Sequence, residues 1–257
     1  LQFFTSMFIL TFDVSTIFEN VVLKNCHISE YNSESLAPQK YNQFLVIKLS
    51  NVIVKNTKHE AATNHKYNIQ AFFQCKRCFS IKFIVSNTTF IDSPIHVSGL
   101  HFHLSFFHVK FICHMNQNMI YILPADTNLY EHQTQVSRQI KLVRVESKNQ
   151  NRKAYVNCLY VQTVNVDISL THCDFYGVGR IIKIVQLGEN ATCYDGMKMK
   201  VSLTNVVASQ PKILSDHGGV EMKFTKHMHA FHKAKFSFIN CSFINHSTAM
   251  GSAIFVK

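Results

Sequence analysis

The sequence predicts an all-β solenoid, a stack of about eight turns of parallel strands with irregular loop insertions, and three observations lead to it. A six-residue template (apolar, any, Asn or His, small apolar or Thr, any, apolar) recurs eight times along the 257 residues. Its intervals are uneven, as expected of a repeat whose strands stay in register while its loops differ in length. Within each copy the apolar residues alternate, which is the period of a strand and not of a helix, and helix start and stop signals are faint throughout.

The copies run in order Leu23–Ile28, Leu49–Val54, Val85–Phe90, Phe106–Phe111, Ile140–Val145, Leu170–Phe175, Leu203–Ala208 and Phe238–Phe243. The fifth is the weakest, because Leu142 stands in the Asn slot. The third position marks a bend, since Asn tolerates unusual backbone angles, and Asn stacked on successive turns can bond one another as a ladder. Asn25, Asn51, Asn87, Asn205 and Asn240 are the expected inward-facing structural ladder, with His108 and His172 as departures. The stretches 57–71 and 115–139 read as insertions, and residues 1–257 as one domain cut at both ends from a longer chain. The Phe-rich start, Leu1 to Phe12, reads as a first strand.

Composition excludes several classes. With 47% apolar and 16% charged residues the chain can bury a core, which disordered chains cannot. No apolar window is long enough for a membrane-spanning helix, so any membrane association would come through regions outside this chain. The formal charge of +11, from 26 Lys and Arg against 15 Asp and Glu, suits an acidic partner. The basic residues are nevertheless dispersed. Only Lys198 with Lys200 and the stretch Lys223 to Lys235 are dense, and no arginine-rich arm or aromatic RNA-binding signature accompanies them, so no nucleic-acid partner is expected.

The end of the chain carries a more specific pattern. Phe238, Asn240, Cys241, Phe243, Asn245, Gly251, Ala253 and Ile254 lie in a segment that resembles the repeat of right-handed parallel β-helix proteins, of the pectin-lyase-like and polymorphic outer-membrane-protein type. Gly218-Gly219-Val220-Glu221-Met222-Lys223-Phe224 looks like the preceding strand of the same turn. The full motif covers about forty residues, and only its strand-and-Asn portion echoes through the other copies. The resemblance implies a right-handed parallel β-helix.

On the template, Cys26, Cys173 and Cys241 share one slot on turns one, six and eight. Strands on adjacent turns are about 4.8 Å apart, too far over two or more turns for a disulfide, so these read as small buried side chains. Cys75-Lys-Arg-Cys78 reads as a basic loop and a candidate disulfide, with free thiols or a metal as alternatives. Asn190 and Asn245 begin sequons on expected turns and are candidate glycosylation sites, whereas the sequons at Asn87 and Asn240 belong to the ladder and are expected unmodified.

Chemistry is sparse. Polygalacturonases resemble one another in acidic motifs that have no counterpart here, and His217-Gly-Gly and Arg180-Ile-Ile-Lys183 are echoes without the two carboxylates that glycoside hydrolysis needs. Asp167 and Asp174 bracket the bend of the sixth copy. His101 and His103 alternate along a strand and would project outward, and His227, His229 and His232 form a second cluster. Neither is completed by an acid or Cys, so no metal and no cofactor is expected. The expectation is a noncatalytic extracellular or cell-surface module, a structural or adhesion scaffold that binds protein or glycan. The alternative is a lyase or hydrolase acting on acidic polysaccharide.

Overall fold

A computed structural model describes residues 2–4, 7–10, 15–24, 26–30, 45–55, 72–114, 118–123, 137–149, 157–163, 166–185, 198–210, 219–223, 233–245 and 254–256. The described chain is all-β, and its strand pairings are parallel. Traced strand to strand, the pairings form three series. The first runs through Ser15–Glu19, Leu45–Ser50, the later parts of Phe73–Ser86 and Ile95–Phe107, Arg138–Val143, the earlier parts of Asp167–Tyr176 and Lys198–Ser209, and Lys233–Ile239. The second runs through Gln2–Phe4, Val22–Lys24, Ile53–Lys55, Thr89–Ile91, Lys110–Cys113, Glu146–Asn149, the later parts of Asp167–Tyr176 and Lys198–Ser209, and Ser242–Ile244. The third runs through Met7–Leu10, His27–Glu30, the starts of Phe73–Ser86 and Ile95–Phe107, Ile120–Leu123, Asn157–Val161, Arg180–Val185, Val220–Lys223 and Ile254–Val256. The chain visits the series in one repeated order from end to end.

Alternation decides which side chains are buried. Leu45–Ser50 alternates buried with exposed or half-buried positions, and Leu49, Val85, Phe106, Leu142, Leu170 and Leu203 form one fully buried row across neighbouring strands. Phenylalanines pack on one another within this core. Phe73 lies face to face on Phe83 and Phe90 on Phe111, both at 5.1 Å between ring centroids, while Phe83 meets Phe106 edge-on. These arrangements add to area burial in a core with no Trp.

The bend between the first and second series explains the template. Asn20, Asn51, Asn87, His108, Arg144, His172, Asn205 and Asn240 all have φ between 46° and 54°. Their backbone amides continue the ladder, from Asn20 N–H donating to Ser50 O through Arg144 N–H donating to Thr171 O. The next residue is small and turns inward. Thr88 and Cys173 donate their hydroxyl and thiol to the carbonyls two residues back, and Cys241 does the same. Val52, Val109, Val145 and Val206 fill the same slot elsewhere and are buried.

Several expectations are corrected. Asn25 lies outside the described residues, and the residue in register with Asn51 is Asn20, because Glu19 pairs with Ser50. In the fifth copy Leu142 is a core residue and Arg144 holds the bend. The row does not face inward: Asn51, Asn87 and Asn240 are exposed, since at this corner a residue with positive φ projects its side chain outside. The stretch 115–139 is not wholly an insertion, because Ile120–Leu123 is a strand of the third series. Residues 57–71 lie outside the described residues. The apolar start forms strands Gln2–Phe4 and Met7–Leu10.

Candidate functional site

The bend row changes character in its middle. An L-residue at φ near +52° is strained, and Asn relieves that strain better than most, yet three consecutive positions hold His108, Arg144 and His172. Arg is the least expected there, and strained backbone gathers at functional positions. The three residues form one wall of an open concavity of about 400 Å³. Its other wall comes from the next outward row of the second series, Lys110, Glu146 and Asp174, which stand opposite one another on adjacent strands.

The polar contacts inside this concavity are specific. Arg144 Nη1 donates to His108 Nε2 at 3.4 Å, and Lys110 Nζ lies 3.6 Å from Glu146 Oε2. On the far side, Asn205 Nδ2 donates to His172 Nδ1 at 3.4 Å and Asn240 Nδ2 donates to Asn205 Oδ1 at 2.7 Å. Arg144 thus stands between two imidazoles on one edge, and Lys110 with two carboxylates lines the other. Of the acids singled out from sequence, Asp174 lines the concavity. Asp167 sits away from it, between Gln139 and Lys200 in the first series.

The bend between the second and third series is sealed by carboxamides. Asn149 Nδ2 donates to Gly177 O at 3.1 Å, Gln210 Nε2 donates to Val178 O and Gly179 O at 3.0 and 3.1 Å, and Asn245 Nδ2 donates to Gln210 O at 2.7 Å. Asn149 and Gln210 are buried, so the inward amide seal lies one corner away from where the template places it. Asn245, a candidate glycosylation site, is exposed with its amide engaged. Asn190 lies outside the described residues. Asp92 also has positive φ and grips His114, accepting from its backbone N–H at 2.7 Å and from Nδ1 at 2.8 Å.

Arg180 and Lys183 belong to a charged cluster. The buried Arg180 and Glu221 are ion-paired, Lys223 Nζ lies 2.7 Å from Glu221 Oε1, and Lys183 Nζ sits 5.2 Å from the ring centroid of Tyr160. Burial alone would raise the Glu221 carboxyl, but the Lys223 hydrogen bond and the charges of Arg180, Lys223 and Lys183 outweigh it and hold it below its ordinary value. Burial and the Arg180 charge lower the Lys183 ammonium. Beyond Lys183 the outward row of the third series continues as Tyr160, Tyr121 and His96, with rings 5.0 and 5.4 Å apart. Sequence inspection misses this row because its members are separated by uneven loops.

Cys75 and Cys78 are not in a loop. Their backbone belongs to strand Phe73–Ser86, where Cys75 pairs with Val97 and Cys78 with Gly99 across an irregularity in register. Their side chains lie outside what is described. Cys173 and Cys241 share the slot after the bend, whereas Cys26 follows Lys24 at the other corner, donating to Lys24 O and Phe3 O. Cys26, Cys158, Cys173 and Cys241 are free thiols. Burial pushes the Cys158 thiol well above its ordinary value and the Cys173 thiol up to about 11.

His101 and His103 lie on a strand and turn to one side. Ser137 N–H donates to His101 Nδ1 at 3.1 Å, and Ser137 Oγ is 3.0 Å from His103 Nε2. Burial, with Lys82 nearby, lowers the His103 imidazole. His227, His229 and His232 lie outside the described residues. Among the described residues no group of three or more His, Cys, Asp or Glu is placed to hold a metal ion, and no helix is long and apolar enough to cross a membrane. Comparison with protein-family models, with curated proteins and with solved structures finds no match.

Proposed function

We propose that the chain is a right-handed parallel β-helix of about eight turns that acts as a noncatalytic extracellular or cell-surface module, a structural or adhesion scaffold holding a protein or glycan against its flanks and loops. The helical reading draws on the fixed order in which the chain visits the three strand series, and its hand on the strong right-handed bias of parallel crossovers. One observation carries the scaffold reading. Apolar rows fill the inside, while His108, Arg144, His172 and their polar neighbours stand outside on strands locked in register. A surface of this kind loses little conformational freedom on binding.

A second reading, cleavage of acidic polysaccharide, is favoured by Glu146 and Asp174, which face each other on strands about 4.8 Å apart beside Arg144. Two-carboxylate hydrolysis works across short separations of this order. Against it, Glu146 is engaged by Lys110 and is exposed, and the concavity is open, whereas catalysis gains from a closed site. One experiment separates the two readings: purified protein is incubated with acidic polysaccharides, and both retention and chain length of the polymer are measured. Retention at unchanged length is the expected result. Shortened product that vanishes in the Glu146→Gln and Asp174→Asn variants would establish the enzyme instead.

A further inference from the structure

The outward face of the first series carries most of its charge as exposed lysine. Lys48, Lys82, Lys141, Lys200 and Lys235 all lie there, against the acids Glu19 and Asp167 among the described residues. They fall in two parallel rows. One passes from Lys82 through His103, Gln139 and Asp167 to Lys200 and Lys235, and the other from Lys48 through Ile84 and Ser105 to Lys141 and on to three serines. Lys200 and Lys235 are direct neighbours, and like charges placed opposite one another on adjacent strands repel. On the second series Lys24, Lys55 and Lys148 share one row with Ile91, Ile112 and Tyr176, while Lys110 stands in the other row beside Glu146 and Asp174.

We infer that this face binds a linear glycan bearing regularly placed oxyanions, sulfate or carboxylate, laid along the direction in which the strands stack. The inference rests on the noncatalytic scaffold reading and names its ligand class and its site. Lysine is a compact, rotatable point charge that meets an anion without fixed geometry, which suits a polymer that can shift along the face. From the strand of Lys48 to that of Lys235 there are six strand spacings of about 4.8 Å, roughly 29 Å. In the row of Lys141, Ser105 stands on one side and Ser169, Ser202 and Ser237 follow on the other, hydroxyls able to donate to oxyanions and to exchange hydrogen bonds with sugar hydroxyls. Single-stranded nucleic acid would need aromatic platforms for its bases. On this face Phe107 has the Lys141 ammonium over its ring at 5.6 Å, and its in-register neighbours Ser86 and Val143 offer no ring.

The test uses the full chain and four probes: heparin for sulfate, hyaluronate for carboxylate, and single-stranded and duplex oligonucleotides. A variant with Lys82→Glu, Lys141→Glu and Lys200→Glu is compared with one carrying Lys24→Glu, Lys55→Glu and Lys148→Glu, which makes the same change in net charge on the second series. The expected result is binding of heparin, hyaluronate or both that weakens steeply with salt, is lost by about tenfold or more in the first variant, and changes by less than about threefold in the second. Thermal melts of both variants confirm folding. Equal losses in the two variants, no binding to either glycan, or tighter binding of an oligonucleotide overturns the inference. Shortening of the bound glycan would sink the noncatalytic reading while leaving the binding face intact. Loss only when His108, Arg144 and His172 are replaced would leave the scaffold reading standing and move the site to the concavity.

Discussion

At the scale of single residues, the left-handed positions decide where the chain bends and what the bend presents. Seven of the eight residues at the first bend are Asn or His, types that tolerate φ near +52°, and Arg144 is not. Arg144→Asn is therefore expected to stabilise the fold by about 1 kcal/mol, read as a rise in urea midpoint, while weakening any anion held in the concavity. An unchanged midpoint would mean that Arg144 carries no strain there. Gly177 is the converse case. Its φ is +70°, and a Cβ would stand 2.8 Å from Asn149 O. Gly177→Ala should lower stability by about 2 kcal/mol or more, through both the backbone angle and displacement of the Asn149 strand.

At the scale of the strand and its bend, one unit repeats: a bend residue with positive φ, then a small inward side chain, which at Thr88, Cys173 and Cys241 also donates to the carbonyl two residues back. Thr88 and Cys173 perform that role with different atoms. Cys173→Thr should accordingly cost under about 1 kcal/mol, whereas Cys173→Ala, which loses the thiol bond and leaves a small cavity, should cost more, roughly 1 to 2 kcal/mol. Equal costs would show that a threonine hydroxyl does not replace the thiol in this slot. The same burial raises the Cys158 and Cys173 thiols. In the native protein these two are expected to resist thiol reagents at pH 8 and to react once denaturant opens the core, a contrast that thiol titration measures directly.

At the scale of the whole molecule, the stacked series make charge on one strand the immediate neighbour of charge on the next. The Arg180, Glu221 and Lys223 cluster ties Arg180–Val185 to Val220–Lys223. Because the folded Glu221 carboxyl titrates below its ordinary value, it contributes stability that is present above the unfolded carboxylate range near 4.5 and is lost as pH falls through the folded value. Glu221→Gln should thus lower stability at neutral pH by roughly 3 kcal/mol, since Arg180 keeps its charge in a buried place. The difference from the parent should shrink toward acid pH. Parallel pH curves for the two proteins would show that Glu221 contributes nothing through its charge.

The alternation of Leu, Ile, Val and Phe with polar residues was enough to make the chain all-β, because a period of two admits only a strand with one side buried. The bend positions Asn51, Asn87, His108, His172, Asn205 and Asn240 were also readable, since few residue types accept a positive φ. Asn20 and Arg144 were missed for a physical reason: Phe18-Glu-Asn20-Val and Leu142-Val-Arg144-Val fit the apolar and small-residue slots, but an apolar alternation can be slid along the chain until strand pairing fixes its register. Only the tertiary structure decided which rows lie side by side. Lys48, Lys82, Lys141, Lys200 and Lys235 are scattered in sequence because the loops between them are unequal. Parallel pairing removes those loops from the distance and sets each lysine-bearing strand in one sheet face, and His108, Arg144 and His172 come together with Glu146 and Asp174 in the same way.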